Sequence, residues 1–100
     1  MRKVVVLAEA AEDIEQARDF YDKLSPGVGD YCVDSLLADI ESLAFFHGIH
    51  AKQFSLYRML AHRFPFGIYY RDTDAETQVF AVLDLRRDPS WIRKELSWRG

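Results

Sequence analysis

Arginine is the functional side chain that this sequence concentrates in its second half. The arginines on or beside strand-like segments there are Arg58, Arg63, Arg71, Arg86 and Arg87. A guanidinium donates paired hydrogen bonds to carboxylates and phosphates, and it stacks on aromatic rings such as those of Tyr57, Tyr69 and Trp91. If the strand residues converge on one sheet face, they form a surface for a protein or a nucleic acid. The spacing alone favours a solvated sheet face with a local ion pair such as Arg87–Asp88.

Other residue types give weaker signals for chemistry. Cys32 has no neighbouring His or basic residue and lies beside a helical apolar stripe, which predicts a core cysteine. His47 and His50 straddle Gly48, so a loop or a helix end explains them better than a metal site does. The serines stand in no G-x-S-x-G pattern, and the sequence has no glycine-rich phosphate loop. We therefore expect no catalytic residue, no metal ion and no cofactor.

Length, composition and charge limit the classes of protein to which this chain can belong. One hundred residues, 49% hydrophobic and 14% aromatic, predict one folded domain over residues 1–100 rather than a disordered chain. The single cysteine, Cys32, excludes a disulfide framework. The first half carries four Lys/Arg and ten Asp/Glu, whereas the second half carries nine Lys/Arg and six Asp/Glu. The net charge of -3 is therefore the sum of an acidic first half and a basic second half. The apolar runs are too short for a membrane span or a signal peptide, which predicts a cytoplasmic protein.

Hydrophobic periodicity predicts the order of the elements. Apolar residues at helical spacing predict helices over residues 9–24 and from about 26 or 30 to 46. Strands are expected over residues 3–8, 54–60, 63–71 and 78–85, and Asp88-Pro89 starts a short C-terminal helix. The first strand is uniformly apolar, which predicts a central strand buried on both faces. The order predicts a two-layer α+β domain, with a helix hairpin covering one side of the sheet.

Several short sequence blocks follow one another across nearly the whole chain. They are Ala11-Glu12-Asp13-Ile14, Phe20-Tyr21, Pro26-Gly27-Val28-Gly29, Tyr57-Arg58-Met59-Leu60, the run R-F-P-F-G-I-Y-Y from Arg63, and the run A-V-L-D-L-R-R-D-P from Ala81. The R-F-P-F and R-R-D-P blocks together are the most specific. In these blocks the chain resembles the RelE/ParE superfamily of toxins from bacterial type II toxin–antitoxin modules, and within it the ParE branch of plasmid stabilisation proteins.

The resemblance implies both a fold and a biological role. The implied fold is β-α-α-β-β-β, with an antiparallel helix hairpin packed on a mainly antiparallel four-stranded sheet and a short C-terminal helix. The implied role is a growth-inhibiting toxin, neutralised by a cognate antitoxin whose C-terminal segment wraps along it and folds on binding. Family precedent includes toxin–antitoxin heterotetramers, and an unpaired toxin could also form dimers through the surface that the antitoxin covers.

Two mechanisms divide the superfamily, and the resemblance leaves both open. ParE-like members poison DNA gyrase, whereas RelE-like members cut mRNA on the ribosome with a cluster of Lys, Arg and Tyr. The absence of lysine between Gln53 and Arg93 and the negative net charge favour gyrase. An inactive interaction module of the same fold is the third hypothesis. The candidate residues for contact with a target or an antitoxin are Arg58, Arg63, Arg71, Arg86, Arg87 and Trp91.

Overall fold

A computed structural model describes residues 1–99, which form three helices and five strands. The strands are β1 (Lys3–Val6), β2 (Lys52–Gln53), β3 (Leu56–Leu60), β4 (Phe66–Asp72) and β5 (Glu76–Asp84). The helices are α1 (Ala8–Leu24), α2 (Val28–Phe46) and α3 (Pro89–Arg99). Over these residues no helix is both long enough and apolar enough to cross a lipid bilayer. The α+β class predicted from periodicity is confirmed.

The five strands form one sheet in the order β1-β5-β4-β3-β2. β1 runs parallel to β5, and the other neighbouring strands are antiparallel. The two-residue strand β2 is an addition to the four strands predicted. The expectation of a central first strand is wrong, because β1 is an edge strand of the sheet. Its valines are half-buried, and Val4 and Val6 pack against the core under the helix hairpin. A short apolar run does not distinguish such an edge strand from a central strand.

The helix hairpin of α1 and α2 covers one face of the sheet, as predicted. The core on this face includes Ile14, Ala17, Leu36, Ile40, Leu43, Met59, Ile68 and Tyr70. The two helices approach closely at Gly29, where a Cβ atom would stand only 2.4 Å from the carbonyl oxygen of Arg18. Asp22 Oδ1 accepts hydrogen bonds from the N–H groups of Gly27 (3.0 Å) and Gly29 (3.2 Å). Gly29 therefore allows α2 to begin directly against α1.

Helix α3 packs on the opposite face of the sheet and adds a partial third layer. Its Ile92 and Leu96 contact a second apolar cluster. The other buried members of that cluster are Leu56, Tyr69, Phe80, Ala81 and Leu83. The start of α3 is as predicted: the carboxylate of Asp88 accepts the N–H of Ser90 at 2.8 Å, and Pro89 occupies the first helical position.

The last strand, predicted over residues 78–85, is observed at Glu76–Asp84. Three other boundaries differ from the prediction for local reasons. Ala8 already begins α1, so β1 ends at Val6. Phe54 (φ 55°) and Ser55 (φ 68°) lie in the left-handed region and turn the chain, so β3 begins only at Leu56. Residues 63–65 form a loop before β4, and Pro65 has no N–H to contribute to a strand ladder. This last difference removes Arg63 from the sheet.

Candidate interaction surface

The residues predicted to contact a target or an antitoxin lie in two separate places. Arg58 and Arg71 stand on the sheet face that α3 covers. The other four lie on the flank where the α1–α2 turn meets the end of β5, namely Arg63, Arg86, Arg87 and Trp91. The expected convergence of the strand arginines on one sheet face is therefore wrong for Arg63, because its loop carries it toward α2.

Arg63 is held against the first turn of α2. Its Nη1 donates a hydrogen bond to the hydroxyl of Tyr31 at 2.9 Å, and its guanidinium lies 5.9 Å from the centre of that ring. Tyr31 is half exposed, and its ring meets the ring of Phe64 edge-on at 5.7 Å. The loop residues Arg63 and Phe64 thus both contact the Tyr31 ring of α2.

Arg86 is positioned from the opposite side of the same aromatic cluster. Its Nη2 donates to Asp84 Oδ2 at 2.7 Å and approaches the hydroxyl of Tyr21 at 3.5 Å. The hydrogen bonds from Arg86 outweigh partial burial and hold the pKa of Asp84 below its usual value. The Tyr21 and Phe64 rings meet at 4.8 Å. Tyr21, Phe64 and Tyr31 therefore bridge the two arginines, Arg86 and Arg63.

Arg87 and Trp91 extend this surface toward α3. The guanidinium of Arg87 lies 3.8 Å from the centre of the Trp91 ring. Both residues line a shallow groove of about 320 Å³, together with Asp84 and the half-exposed Phe20. The expected pairing of Arg87 with Asp88 is not formed, because Asp88 caps α3 instead.

We call this flank the arginine–aromatic surface. Its members are Phe20, Tyr21, Tyr31, Arg63, Phe64, Arg86, Arg87 and Trp91. Of these, sequence analysis singled out the three arginines and Trp91 as contact residues. Tyr31 and Phe64 were not among the predicted contact residues, and Tyr31 reaches Arg63 and Phe64 only across elements that are far apart in the chain. The signal available in sequence was Phe64, the aromatic residue directly after Arg63.

A second basic region lies on the face that α3 covers. Arg71 packs over the ring of Phe80 at 5.4 Å, and Arg93 of α3 packs over the ring of Phe54 at 5.4 Å. Both arginines line a groove of about 250 Å³. Arg93 was missed because the sequence did not indicate that α3 returns to the sheet beside Arg71.

Arg58 is directed at the buried core of the same face. Its Nη1 donates to Gln53 Oε1 at 3.1 Å. Burial raises the pKa of the fully buried Tyr69, and the neighbouring Arg58 offsets part of this effect. Arg58 therefore holds Gln53 and lies beside Tyr69, and its side chain is less available to a partner than those of Arg63 and Arg87.

The histidines lie at the end of α2 and in the loop after β3. His47 contacts Asp72 at 2.8 Å, and His50 contacts the buried hydroxyl of Tyr70 at 2.6 Å. His62, which no sequence pattern indicated, has its Nδ1 2.6 Å from the buried carboxylate of Asp39. This contact leaves Nε2 of His62 free, the orientation that a general base uses.

Most of the arginine–aromatic surface is arranged for contact rather than for proton transfer. Arg63, Arg86 and Arg87 are each held by a hydroxyl, a carboxylate or a ring, and guanidinium groups stay charged at every physiological pH. Burial raises the pKa of Tyr21, so its hydroxyl is protonated at neutral pH. Fixed guanidinium groups among aromatic rings can bind carboxylates, phosphates or aromatic side chains.

Comparison with known proteins finds a likeness among solved structures. No protein-family profile matches this sequence, and no curated protein matches it. A chain in a solved structure described as the chromosomal ParDE TA system from P. aeruginosa superposes with a TM-score of 0.74 at 20% identity. The superposition covers 82% of this chain and 94% of that chain. At this identity the likeness shows the fold, so the ParE/RelE-like fold implied by the sequence blocks is confirmed.

Proposed function

We propose that this chain is the toxin of a type II toxin–antitoxin module and that it inhibits growth by binding DNA gyrase. The fold shared with a chain of a ParDE TA system, over 82% of the present chain, supports the toxin assignment. The sequence blocks R-F-P-F and R-R-D-P support the ParE branch, because their arginines Arg63, Arg86 and Arg87 come together on one surface.

The arginine–aromatic surface is the observation that favours a binding inhibitor. Arg, Trp and Tyr are the residue types that dominate binding energy at protein interfaces. Arg63 and Arg87 are already fixed on Tyr31 and Trp91, so little side-chain entropy is lost when a partner binds. A protein target with carboxylates at its surface satisfies these guanidinium groups directly.

Neutralisation by an antitoxin is supported by apolar side chains around the α1–α2 turn. Phe20 and Tyr31 are half exposed, and Leu24 is 67% exposed. A soluble partner segment that folds along the hairpin would bury these side chains and cover the adjoining arginines. We therefore expect the antitoxin and the target to compete for this flank.

A supercoiling assay with purified DNA gyrase tests the proposal. We expect the protein to inhibit supercoiling and Arg86→Ala to weaken the inhibition by at least about tenfold, because truncation of a hot-spot arginine at an interface costs about 2 kcal/mol or more. Arg71→Ala, on the α3 face, is the matched control and should inhibit like the unmodified protein. Undiminished supercoiling at saturating protein concentration would overturn the proposal.

A ribosome-dependent mRNA endonuclease is the second candidate, and His62 favours it. The buried carboxylate of Asp39 orients the His62 imidazole, which is next to Arg63 in the chain and exposed to solvent. A base can activate the attacking hydroxyl, and a neighbouring guanidinium can stabilise the charge that develops on the phosphate. Under this candidate, cleavage of mRNA on ribosomes should be lost in His62→Gln and retained in His47→Gln. An absence of cleavage by both the unmodified protein and His47→Gln would exclude this candidate function.

A further inference from the structure

The outer side of β1 is a strand edge without a partner. The N–H of Leu7 bonds to Val79 O at 3.0 Å, so odd-numbered residues of β1 bond toward β5 and even-numbered residues face away. On the outward side, the N–H of Arg2 bonds to the carbonyl of Ala44 at 3.2 Å. Among residues 1–99, neither Val4 nor Val6 makes a further backbone hydrogen bond. Each directs one N–H and one C=O away from the sheet.

Apart from its short length and the charge of Lys3, this edge carries none of the devices that normally keep strand edges apart. Free edges are usually protected by charges, proline or bulges, and β1 has three consecutive valines between Lys3 and Leu7. At the other edge of the sheet, β3 already has a partner. The two-residue strand β2 pairs with Leu56 and Tyr57, and the N–H of Arg58 bonds to Ala51 O at 2.9 Å. β1 therefore offers the longer free edge for an additional strand.

We propose that the β1 edge pairs with the β1 edge of a second copy of this chain, antiparallel, about a two-fold axis at Val5. In this register Val4 of each copy exchanges two hydrogen bonds with Val6 of the other, and Val5 faces its counterpart. The pairing satisfies the outward N–H and C=O groups of both valines. It joins the two five-stranded sheets into one continuous sheet across a closed, self-complementary interface.

Charge complementarity favours a second copy as the occupant. Lys3 at the start of β1 is exposed, and Glu9 in the first turn of α1 is exposed just beyond its end. The antiparallel register places Lys3 of each copy opposite Leu7 of the other, next to the first turn of that copy's α1. Lys3 of one copy then lies beside Glu9 of the other, twice per dimer. The half-buried Val5 is covered in the same step.

Two properties of wild-type protein and variants test the register. Light scattering across a wide concentration range should show a dimer that dissociates on dilution. A directly opposed, non-hydrogen-bonded pair has a Cα separation of about 4.5 Å, so Val5→Cys should form an intermolecular disulfide on mild oxidation. Lys52→Cys, on the other edge of the sheet, is the control and should not. Cys32 is buried and does not compete.

The edge itself is tested by changing one outward N–H and one charge. Val4→Pro removes an outward donor together with part of a side chain that packs against the core, and it should give a folded monomer. Val4→Thr also changes that side chain but keeps the donor, and it should dimerise. Lys3→Glu opposes like charges twice and should weaken dimerisation by about tenfold. The double variant Lys3→Glu/Glu9→Lys should dimerise again. An unfolded Lys3→Glu protein would not be rescued in this way. A wild-type monomer at every concentration, or a dimer that neither cross-links nor responds to these changes, would overturn the proposal.

Discussion

Asp13 of α1 and Arg99 at the end of α3 form a bidentate ion pair inside the protein. Nη1 of Arg99 donates to Oδ2 of Asp13 at 2.6 Å, and Nη2 donates to Oδ1 at 2.7 Å. The two side chains are only 8% and 7% exposed, respectively. Oδ2 of Asp13 also accepts the N–H of Val82 in β5 at 2.9 Å. The pair therefore fixes α3, which carries Trp91, against both α1 and the sheet.

Removal of Asp13 should destabilise the fold strongly. Asp13→Ala leaves the charge of Arg99 buried without its main partner, and breaking such a pair typically costs about 3–5 kcal/mol. Glu15→Ala, which removes the exposed ion pair with Arg18, is the control and should cost less than about 1 kcal/mol. Urea unfolding followed by circular dichroism measures both values. Equal costs for the two variants would contradict the structural role of Asp13.

A methyl group at Gly29 should disturb the helix hairpin. Its Cβ would lie 2.4 Å from the carbonyl oxygen of Arg18 and 2.9 Å from Cβ of Asp22, so α2 must move away from α1. We expect Gly29→Ala to lower the free energy of unfolding by about 1–3 kcal/mol, the usual cost of overpacking. Ser35→Ala on the same helix is the comparison, and thermal unfolding of both variants is the measurement. A cost for Gly29→Ala no greater than that for Ser35→Ala would show that the helices adjust freely.

Stability should fall as the pH drops below the ordinary range of histidine. Burial lowers the pKa of His50, so the folded state prefers its neutral form. The unfolded chain takes up this proton at a pH of about 6.5, and folding therefore loses stability as the pH falls from there through the lower folded-state value. Urea unfolding at a series of pH values should show a smaller loss in His50→Gln than in the unmodified protein. Identical slopes would exclude His50 as a source of the loss.

The thiol of Cys32 should be inert in the folded protein. Burial raises its pKa to about 11, so almost no thiolate is present at neutral pH, and the side chain is fully buried. A disulfide reagent such as DTNB should react with it quickly in urea and only through unfolding in native buffer. Reaction at equal rates in both solutions would show that α2 opens readily beside Cys32.

Local chemistry explains which elements could be predicted from sequence. The apolar stripes of α1 and α2 and the Asp88-Pro89 start of α3 follow from nearby residues alone. The position of β1 could not be predicted, because a run of valines suits an edge strand between helices as well as a central strand. The ParE/RelE-like fold could be predicted from sequence because its sequence blocks keep their order along the chain.

The candidate surface was predictable only in part, because its geometry depends on distant contacts. Arg86 and Arg87 were indicated by their position after the last strand. The contacts that hold Arg63 on Tyr31 and Asp39 on His62 join elements that are far apart in sequence. The Asp13–Arg99 pair spans almost the whole chain. Spacing along the chain carries no signal for such pairs.

The proposed inhibition of DNA gyrase through the arginine–aromatic surface makes a direct prediction for growing cells. Pulse-labelling of DNA and protein synthesis in bacterial cells, just after this chain alone is induced, tests it most directly. We predict that DNA synthesis fails first, and that Arg86→Ala delays this failure whereas Arg71→Ala does not. Failure of protein synthesis before DNA synthesis would contradict the proposal and favour the ribosome-dependent nuclease.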